Sequence, residues 1–562
     1  MTDSPPLIAA EAYLSAMKDF GVDAIYATSG TDFPSIAEAY GRAPARGRTL
    51  PEALVCPHEN LAVAMAHGHA LATGRPQAAM VHVSVGTSNM VAGAMNALRD
   101  QVPMLLTAGR TPVSEAPEVS GSRSRFIHWA QEMFDQAGQL REAVKWDYEL
   151  RRGDQAETAL ARALEVACAP PPGPVYLSLP REVLAEEVAP DRPRRRPTQV
   201  APPAPDANAI DRLAQALRRA ELPLLITQNI GRDPAAVATL ETLALDWAIA
   251  VVPFNARSMC LPDDHPMHLG HEAGELLGAA DLILTVACDV PWVPKVAAPA
   301  PGCAHWEIGL DPLHLGHPMR SFPADGAIQA APAAVLGALA EALGPVTEAG
   351  PRLAARRARL AETRARRRAA LDAAGAGPDL TAASASRALA ACLPADATVV
   401  NEYSFHIPQG RFTRPGSIHG LSPAGGLGWG FGAALGMKKG GVAGPVVVML
   451  GDGAYMFNNP SACHWASAAH GLPVLAVIFN NRRWGAVRNS TLAMYPQGAS
   501  AAEDGMFLAD LSPSLDHAAI ARAHGADAWD VTALEQIPAA MDDALTALAG
   551  GRQALIALQL PE

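Results

Sequence analysis

Short apolar runs bounded by Gly, Pro, Asp or Asn alternate along this chain with longer Ala/Leu-rich stretches of helical period. Strand-like runs alternating with helix-like ones are the pattern of parallel sheets with helical crossovers. Three blocks separate. The first carries strand-like runs at 24–27, 78–85, 104–108 and 175–179, and closes in a proline-rich linker at 191–206. The second carries runs at 222–227, 249–254, 282–287 and 306–309, and the third, after about residue 378, runs at 398–401, 446–450, 474–479 and 555–558. The pattern predicts an α/β protein of three doubly wound parallel-sheet domains, at 1–185, 205–345 and 375–562. Between the second and third blocks, 352–368 holds eight arginines at largely helical spacing. It reads as a solvated connecting helix, with a phosphate or nucleic-acid grip as the other reading.

Composition narrows the function. With 562 residues, 49% hydrophobic and 18% charged, the chain can bury several cores, and disorder is excluded. A formal charge of −12 leaves no global basic field for nucleic acid or an anionic membrane, which favours a small-molecule role. The seven cysteines are scattered, with no C-x-x-C, which argues against a disulfide scaffold or a cysteine-built zinc site. MTDSPP is followed by no apolar run, and no window approaches the length of a membrane span, so the expected location is cytoplasmic.

The most informative segment is Gly451-Asp452-Gly453, where the run at 446–450 stops and ahead of a helical stretch predicted from about 460 to 470. Glycines let backbone amides approach a phosphate, and an aspartate there can hold a hard cation bridging phosphate oxygens. At the end of the next apolar run stand Asn480-Asn481. Parallel neighbouring strands would bring Asn481 beside Asp452, giving an oxygen set suited to Mg²⁺. A bare GDG is also an ordinary strand-to-helix turn; its pairing with NN at strand spacing changes the weight.

GDG-x26-NN resembles the thiamin diphosphate (ThDP) motif of the superfamily that includes acetolactate synthase, benzoylformate decarboxylase, pyruvate decarboxylase and 2-hydroxyacyl-CoA lyase. The resemblance covers the whole chain. It implies Mg²⁺ held by Asp452, Asn481 and the carbonyl of Arg483, with diphosphate against Gly451, Gly453 and Ala454. Residues 425–431, GGLGWGF, resemble the segment that receives the aminopyrimidine, Leu427 offering its carbonyl and Trp429 the apolar wedge. His406 matches a histidine on the diphosphate side, or is a solvated loop histidine. The three domains become pyrimidine-binding, central and diphosphate-binding.

In the first block, 53–56 reads as a short buried strand, and His58-Glu59-Asn60 opens the helix predicted over 61–72. Alone, Glu59 is an ordinary first-turn acid. With Gly86–Asn89 (GTSN) downstream, the segment resembles the family's proton-relay glutamate, which shares a proton with N1′ of the pyrimidine and so promotes deprotonation at C2. Burial raising its pKa would suit that sharing. Glu59 and Asp452 lie in different domains, and in the superfamily these come from different subunits, so a homodimer or homotetramer with interfacial sites is implied. Thr31 lies where the decarboxylase has an active-site serine, and is equally a turn residue. His82 aligns with an active-site histidine and is a candidate for proton transfer, or a hydrogen-bonded core histidine. His265, in DDHPMHLGH, sits where relatives also carry histidine. The implied activity is ThDP- and Mg²⁺-dependent lysis or ligation of a C–C bond on a 2-oxo acid or related carbonyl compound. Alternatives are a 2-hydroxyacyl-CoA lyase using formyl-CoA, and a non-catalytic ThDP-fold binding protein, which the presence of Glu59, Asp452 and Asn481 opposes. The central block could hold FAD, ADP or CoA through 227–232 (TQNIGR), although no strict GxGxxG stands there.

Overall fold

The computed structural model describes residues 7–189, 195–346, 350–502 and 506–561. Part of the linker at 191–206, the end at Glu562, and Glu503 and Asp504 lie outside the described residues. The chain groups into two compact units, one of 1–200, 421–531 and 539–562, the other of 201–420 and 532–538.

The first unit opens with a six-stranded parallel sheet of β1 (Ala24–Ala27), β2 (Glu52–Val55), β3 (Gln77–Val81), β4 (Met104–Arg110), β5 (Asp147–Glu149) and β6 (Pro174–Pro180), in the order β2-β1-β3-β4-β6-β5. Its central strands are buried throughout, because helices α1 (Glu59–Thr73) and α2 (Val83–Arg99) and others cover the faces. Two expectations change here. The strand foreseen over 78–85 stops at Val81: Val83 takes φ 33°, its N–H reaches Asp32 Oδ2 at 3.3 Å, and α2 begins. The strand foreseen as buried at 53–56 is the sheet edge, where only Leu54 of β2 points inward.

The second unit carries five parallel strands, β7 (Pro223–Thr227), β8 (Ala250–Pro253), β9 (Leu282–Val286), β10 (Ala304–Gly309) and β11 (Gly326–Gln329), ordered β8-β7-β9-β10-β11. In the TQNIGR loop after β7, Gly231 packs tightly against the chain: a Cβ there would lie 2.0 Å from the Met259 carbonyl oxygen. The arginine-rich segment is α3 (Pro351–Ala374), but it is not wholly solvated. Arg356 is 3% exposed and donates to the carbonyls of Trp247 (3.1 Å), Leu217 (2.8 Å) and Ala220, satisfying the ends of two helices. Burial lowers its pKa. The unit also includes β12 (Thr398–Glu402) and β13 (Ile418–Gly420), paired in parallel.

Back in the first unit, β14 (Val446–Gly451), β15 (Leu475–Asn480), β16 (Asp527–Val531) and β17 (Ala554–Gln559) run in the order β14-β15-β17-β16, all parallel. Helices α4 (Gly430–Lys439), α5 (Asp452–Phe457) and α6 (Pro460–His470) belong with them. Helix α4 crosses α1 so closely that a Cβ at Gly68 or Gly436 would lie 2.0 Å from a carbonyl oxygen of the other helix. No helix among the described residues is long and apolar enough to cross a membrane.

Candidate active site

Two clusters of sequence-predicted residues form within the first unit. At the C-terminal end of β14, Gly451 is extended and α5 starts at once with Asp452, rather than after a loop reaching to 460. Asp452 is 6% exposed. Its Oδ1 accepts the Gly453 N–H at 3.0 Å, whereas Oδ2 is buried with no hydrogen-bond partner. Burial raises its pKa, partly offset by the nearby amides of Gly453, Arg482 and Arg483. Those amides are close because β14 and β15 pair in parallel register, Gly451 opposite Phe479, which delivers the 481–483 turn to the same sheet end. Asn481 Oδ1 accepts the Arg483 N–H at 3.2 Å. Gly453 and Ala454 are buried, with the Trp484 ring over Gly453. An orphaned buried carboxylate oxygen at the sheet end that also receives the 481–483 turn is a donor of the kind that a hard dication satisfies.

The glycine-rich loop before α4 is pinned to the first sheet's helices. Asn96 donates to the Gly426 carbonyl (2.7 Å) and accepts the Gly426 N–H (3.1 Å), and Asn60 donates to the Gly428 carbonyl (2.8 Å). Trp429 caps α4 with its indole 2% exposed and edge-on to His67, so the partly exposed apolar side chain of this loop is Leu427.

The second cluster surrounds Glu59. His58 caps α1 through Nδ1, which accepts the Asn60 N–H, and Glu59 is the first helical residue. It is half-buried, not largely buried as foreseen, since it stands on the helix's opening turn. Its Oε2 accepts from Asn89 at 3.0 Å, so the HEN and GTSN segments do meet. His82 sits at the end of β3, its Nδ1 2.5 Å from Asp32 Oδ1. Asp32 is 2% exposed, and its hydrogen bond raises the His82 pKa against the opposing effect of burial, with the Glu59 charge adding to the rise. His82 Nε2 faces Gln131 Nε2 at 3.4 Å.

Sequence reasoning singled out Thr31 and passed over its neighbour. Thr31 is exposed in a turn, where its carbonyl accepts from Arg181 at 3.4 Å, while Asp32 turns inward to His82. Two glycines make room for this pair: a Cβ at Gly30 would lie 2.2 Å from His82 Nδ1, and one at Gly109 would lie 1.9 Å from Asp32 Oδ2. His406, in the second unit, has an exposed side chain, and its N–H donates to Ser386 Oγ. His265, in the same unit, is fixed by Glu241 and Met267 backbone contacts.

Comparison with known proteins identifies the family. The model of the thiamine pyrophosphate enzyme N-terminal TPP binding domain matches residues 8–138, and that of the C-terminal TPP binding domain matches 403–558. Similar curated proteins include a benzoylformate decarboxylase from Pseudomonas aeruginosa, 28% identical over 87% of this chain and 89% of its own. A sulfoacetaldehyde acetyltransferase from Rhodobacter capsulatus is 25% identical over 97% and 93%. The crystal structure of benzoylformate decarboxylase from Polynucleobacter necessarius superposes with a TM-score of 0.78 at 21% identity, covering 99% of this chain and 98% of that one.

Proposed function

The chain belongs to the thiamine pyrophosphate enzyme family, and from that premise we propose that it is a ThDP- and Mg²⁺-dependent enzyme cleaving or forming the C–C bond next to the carbonyl of a 2-oxo acid. The observation that carries this reading is the buried Asp452 oxygen without a protein partner at the end of β14. Asp452, the Asn481 side-chain oxygen and the Arg483 carbonyl would hold Mg²⁺, an all-oxygen set of the kind that ion requires. The amides of Gly453 and Ala454, with Gly451, would meet the diphosphate. Leu427 and Trp429 belong to the segment that would receive the pyrimidine. When bound, ThDP supplies the electron sink that stabilises a carbanion at the former carbonyl carbon.

The chain's own residues manage protons. Glu59, its carboxylate aimed by the Asn89 contact, would hold and release the proton needed at the aminopyrimidine. His82, whose pKa the Asp32 hydrogen bond raises, would carry the reaction's proton, and Thr31, exposed in the turn beside Asp32, would meet the substrate. The 2-oxo acid class is supported by the benzoylformate decarboxylase relative. Phe126, Trp129 and Phe134 are exposed apolar side chains of the first unit, suited to cover by a second copy in a homodimer or homotetramer.

The test is turnover by the purified enzyme with ThDP, with and without Mg²⁺, on a panel including benzoylformate and pyruvate. CO₂ is followed, and ligated product is sought when an aldehyde is added. Mg²⁺-dependent CO₂ release from at least one 2-oxo acid is expected. Product only from formyl-CoA plus an aldehyde would assign acyl-CoA chemistry instead, and turnover in no arm would overturn the proposal.

A further inference from the structure

The histidine-rich segment 261–271, LPDDHPMHLGH, is left unused by the chemistry above. In the second unit it folds so that Asp263 Oδ1 lies 3.1 Å from His268 Nε2 and 3.6 Å from His271 Nε2, with all three donor atoms within 4.8 Å of one another. His268 is 6% exposed and Asp263 9%. His268 Nε2 is buried and faces this carboxylate as an ion-pair neighbour without an aligned hydrogen bond. The other Asp263 oxygen accepts the Phe412 N–H at 2.8 Å, while the Asp263 N–H donates to the Phe412 carbonyl at 3.0 Å. Oδ1 is thereby fixed toward the histidines. The cluster opens on a cavity of about 400 Å³ lined also by Glu272, Arg364 and Arg367.

We propose that Asp263, His268 and His271 form a binding site for a divalent transition-metal ion of the Zn²⁺ class, separate from the Mg²⁺ site, with a remaining coordination position facing this cavity. Two imidazoles and one carboxylate are the donor types such ions take when one position stays open. Metal–ligand bonds of about 2.0–2.2 Å place tetrahedral donors about 3.3–3.6 Å apart; the Asp263–His271 separation of 3.6 Å matches this, and the 3.1 Å between Asp263 and His268 would widen slightly on loading. Cysteine spacing could not reveal it, because no thiol takes part. His265 is excluded as a ligand: its Nε2–H donates to the Glu241 carbonyl at 3.1 Å and its Nδ1 accepts the Met267 N–H at 3.1 Å. Ligation through His268 Nε2 places that ring's proton on Nδ1, so its 3.2 Å contact from the Gly270 N–H opens on loading. Arg364 and Arg367 hold their places by donating to carbonyls of this same loop, and their charge favours an anionic ligand in the open position.

The inference is independent of the ThDP reading and is tested without turnover. The full chain, stripped of metal and of ThDP by chelator and gel filtration, is titrated with Co²⁺, followed by visible d–d absorption and by elemental analysis after desalting. One Co²⁺ per chain is expected, displaced by Zn²⁺ and retained in Asp452→Ala. Affinity is expected to fall more than about 100-fold in His271→Ala and His268→Gln, beyond the 10–100-fold typical of losing an outer partner. His271 is only partly buried, so its variant keeps the fold, checked by circular dichroism. A wild-type chain that takes up no Co²⁺, or uptake unchanged in His271→Ala, overturns the proposal.

Discussion

Replacing Asp32 by Asn tests the proton machinery without touching cofactor ligands. The 2.5 Å contact between a 2%-exposed carboxylate and His82 is a hydrogen bond to a charged group, worth about 1.5–3 kcal/mol. If that interaction holds His82 in the form the chemistry needs, its loss lowers the rate by about 10- to 150-fold at 1.36 kcal/mol per decade. The direction with pH follows from the raised folded-state pKa of His82, caused first by Asp32. Stability from the charged contact is fully present below the ordinary value of 6.5 and is lost as pH rises through the higher folded value. Denaturant melts should therefore show the largest gap between wild type and Asp32→Asn in acid, closing toward alkaline pH. The pH–rate limb assigned to His82 should shift to lower pH, while ThDP affinity stays within a few-fold. An unchanged limb together with an unchanged rate would return the Asp32–His82 pair to a structural role.

Gly109→Ala should reproduce part of this effect, because its Cβ would press on Asp32; overpacking of about 1–3 kcal/mol is expected in melts, together with the same displaced pH profile. Asp452→Asn should abolish Mg²⁺-dependent retention of ThDP on gel filtration while leaving the apo chain at least as stable as wild type above neutral pH. The reason is that the buried carboxylate's raised pKa makes its ionised form costly once pH exceeds that value, and Mg²⁺ affinity in the wild type should weaken as pH falls through it. Arg356→Met should destabilise the chain by about 3–5 kcal/mol, since the carbonyls of Leu217, Ala220 and Trp247 lose a shared buried donor; a melt within about 1 kcal/mol of wild type would mean water replaces the guanidinium.

The strands were legible because parallel strands covered on both faces are written as continuous apolar runs: the foreseen run at 446–450 became Val446–Gly451, and the helix after 460 begins at Pro460. What escaped was set by tertiary contacts. Val83 reads as a strand residue, yet its amide bonds to Asp32, far away in sequence, and forces a left-handed turn that no local propensity announces. Glycines within GDG hide the helix that starts at Asp452. Edge position, which exposes Ala53 and Val55, depends on strand order rather than on the strand's own residues. In the site, Asp452 and Glu59 announce themselves by spacing and resemblance. Asp32 does not, because an aspartate after Gly-Thr looks like any turn residue until its partner is known. Arg356 is likewise indistinguishable from its seven neighbours in 352–368 until the helix ends that it caps are in place.

The central claim is that this chain activates ThDP through Glu59 and anchors it through Asp452, and hydrogen–deuterium exchange at the cofactor's C2, followed by proton NMR after acid quench, reads it directly. Exchange accelerated well beyond free ThDP is expected with wild type and Mg²⁺, falling steeply in Glu59→Gln with the cofactor still bound. Exchange at the free-cofactor rate in the wild type, or undiminished in Glu59→Gln, would contradict it.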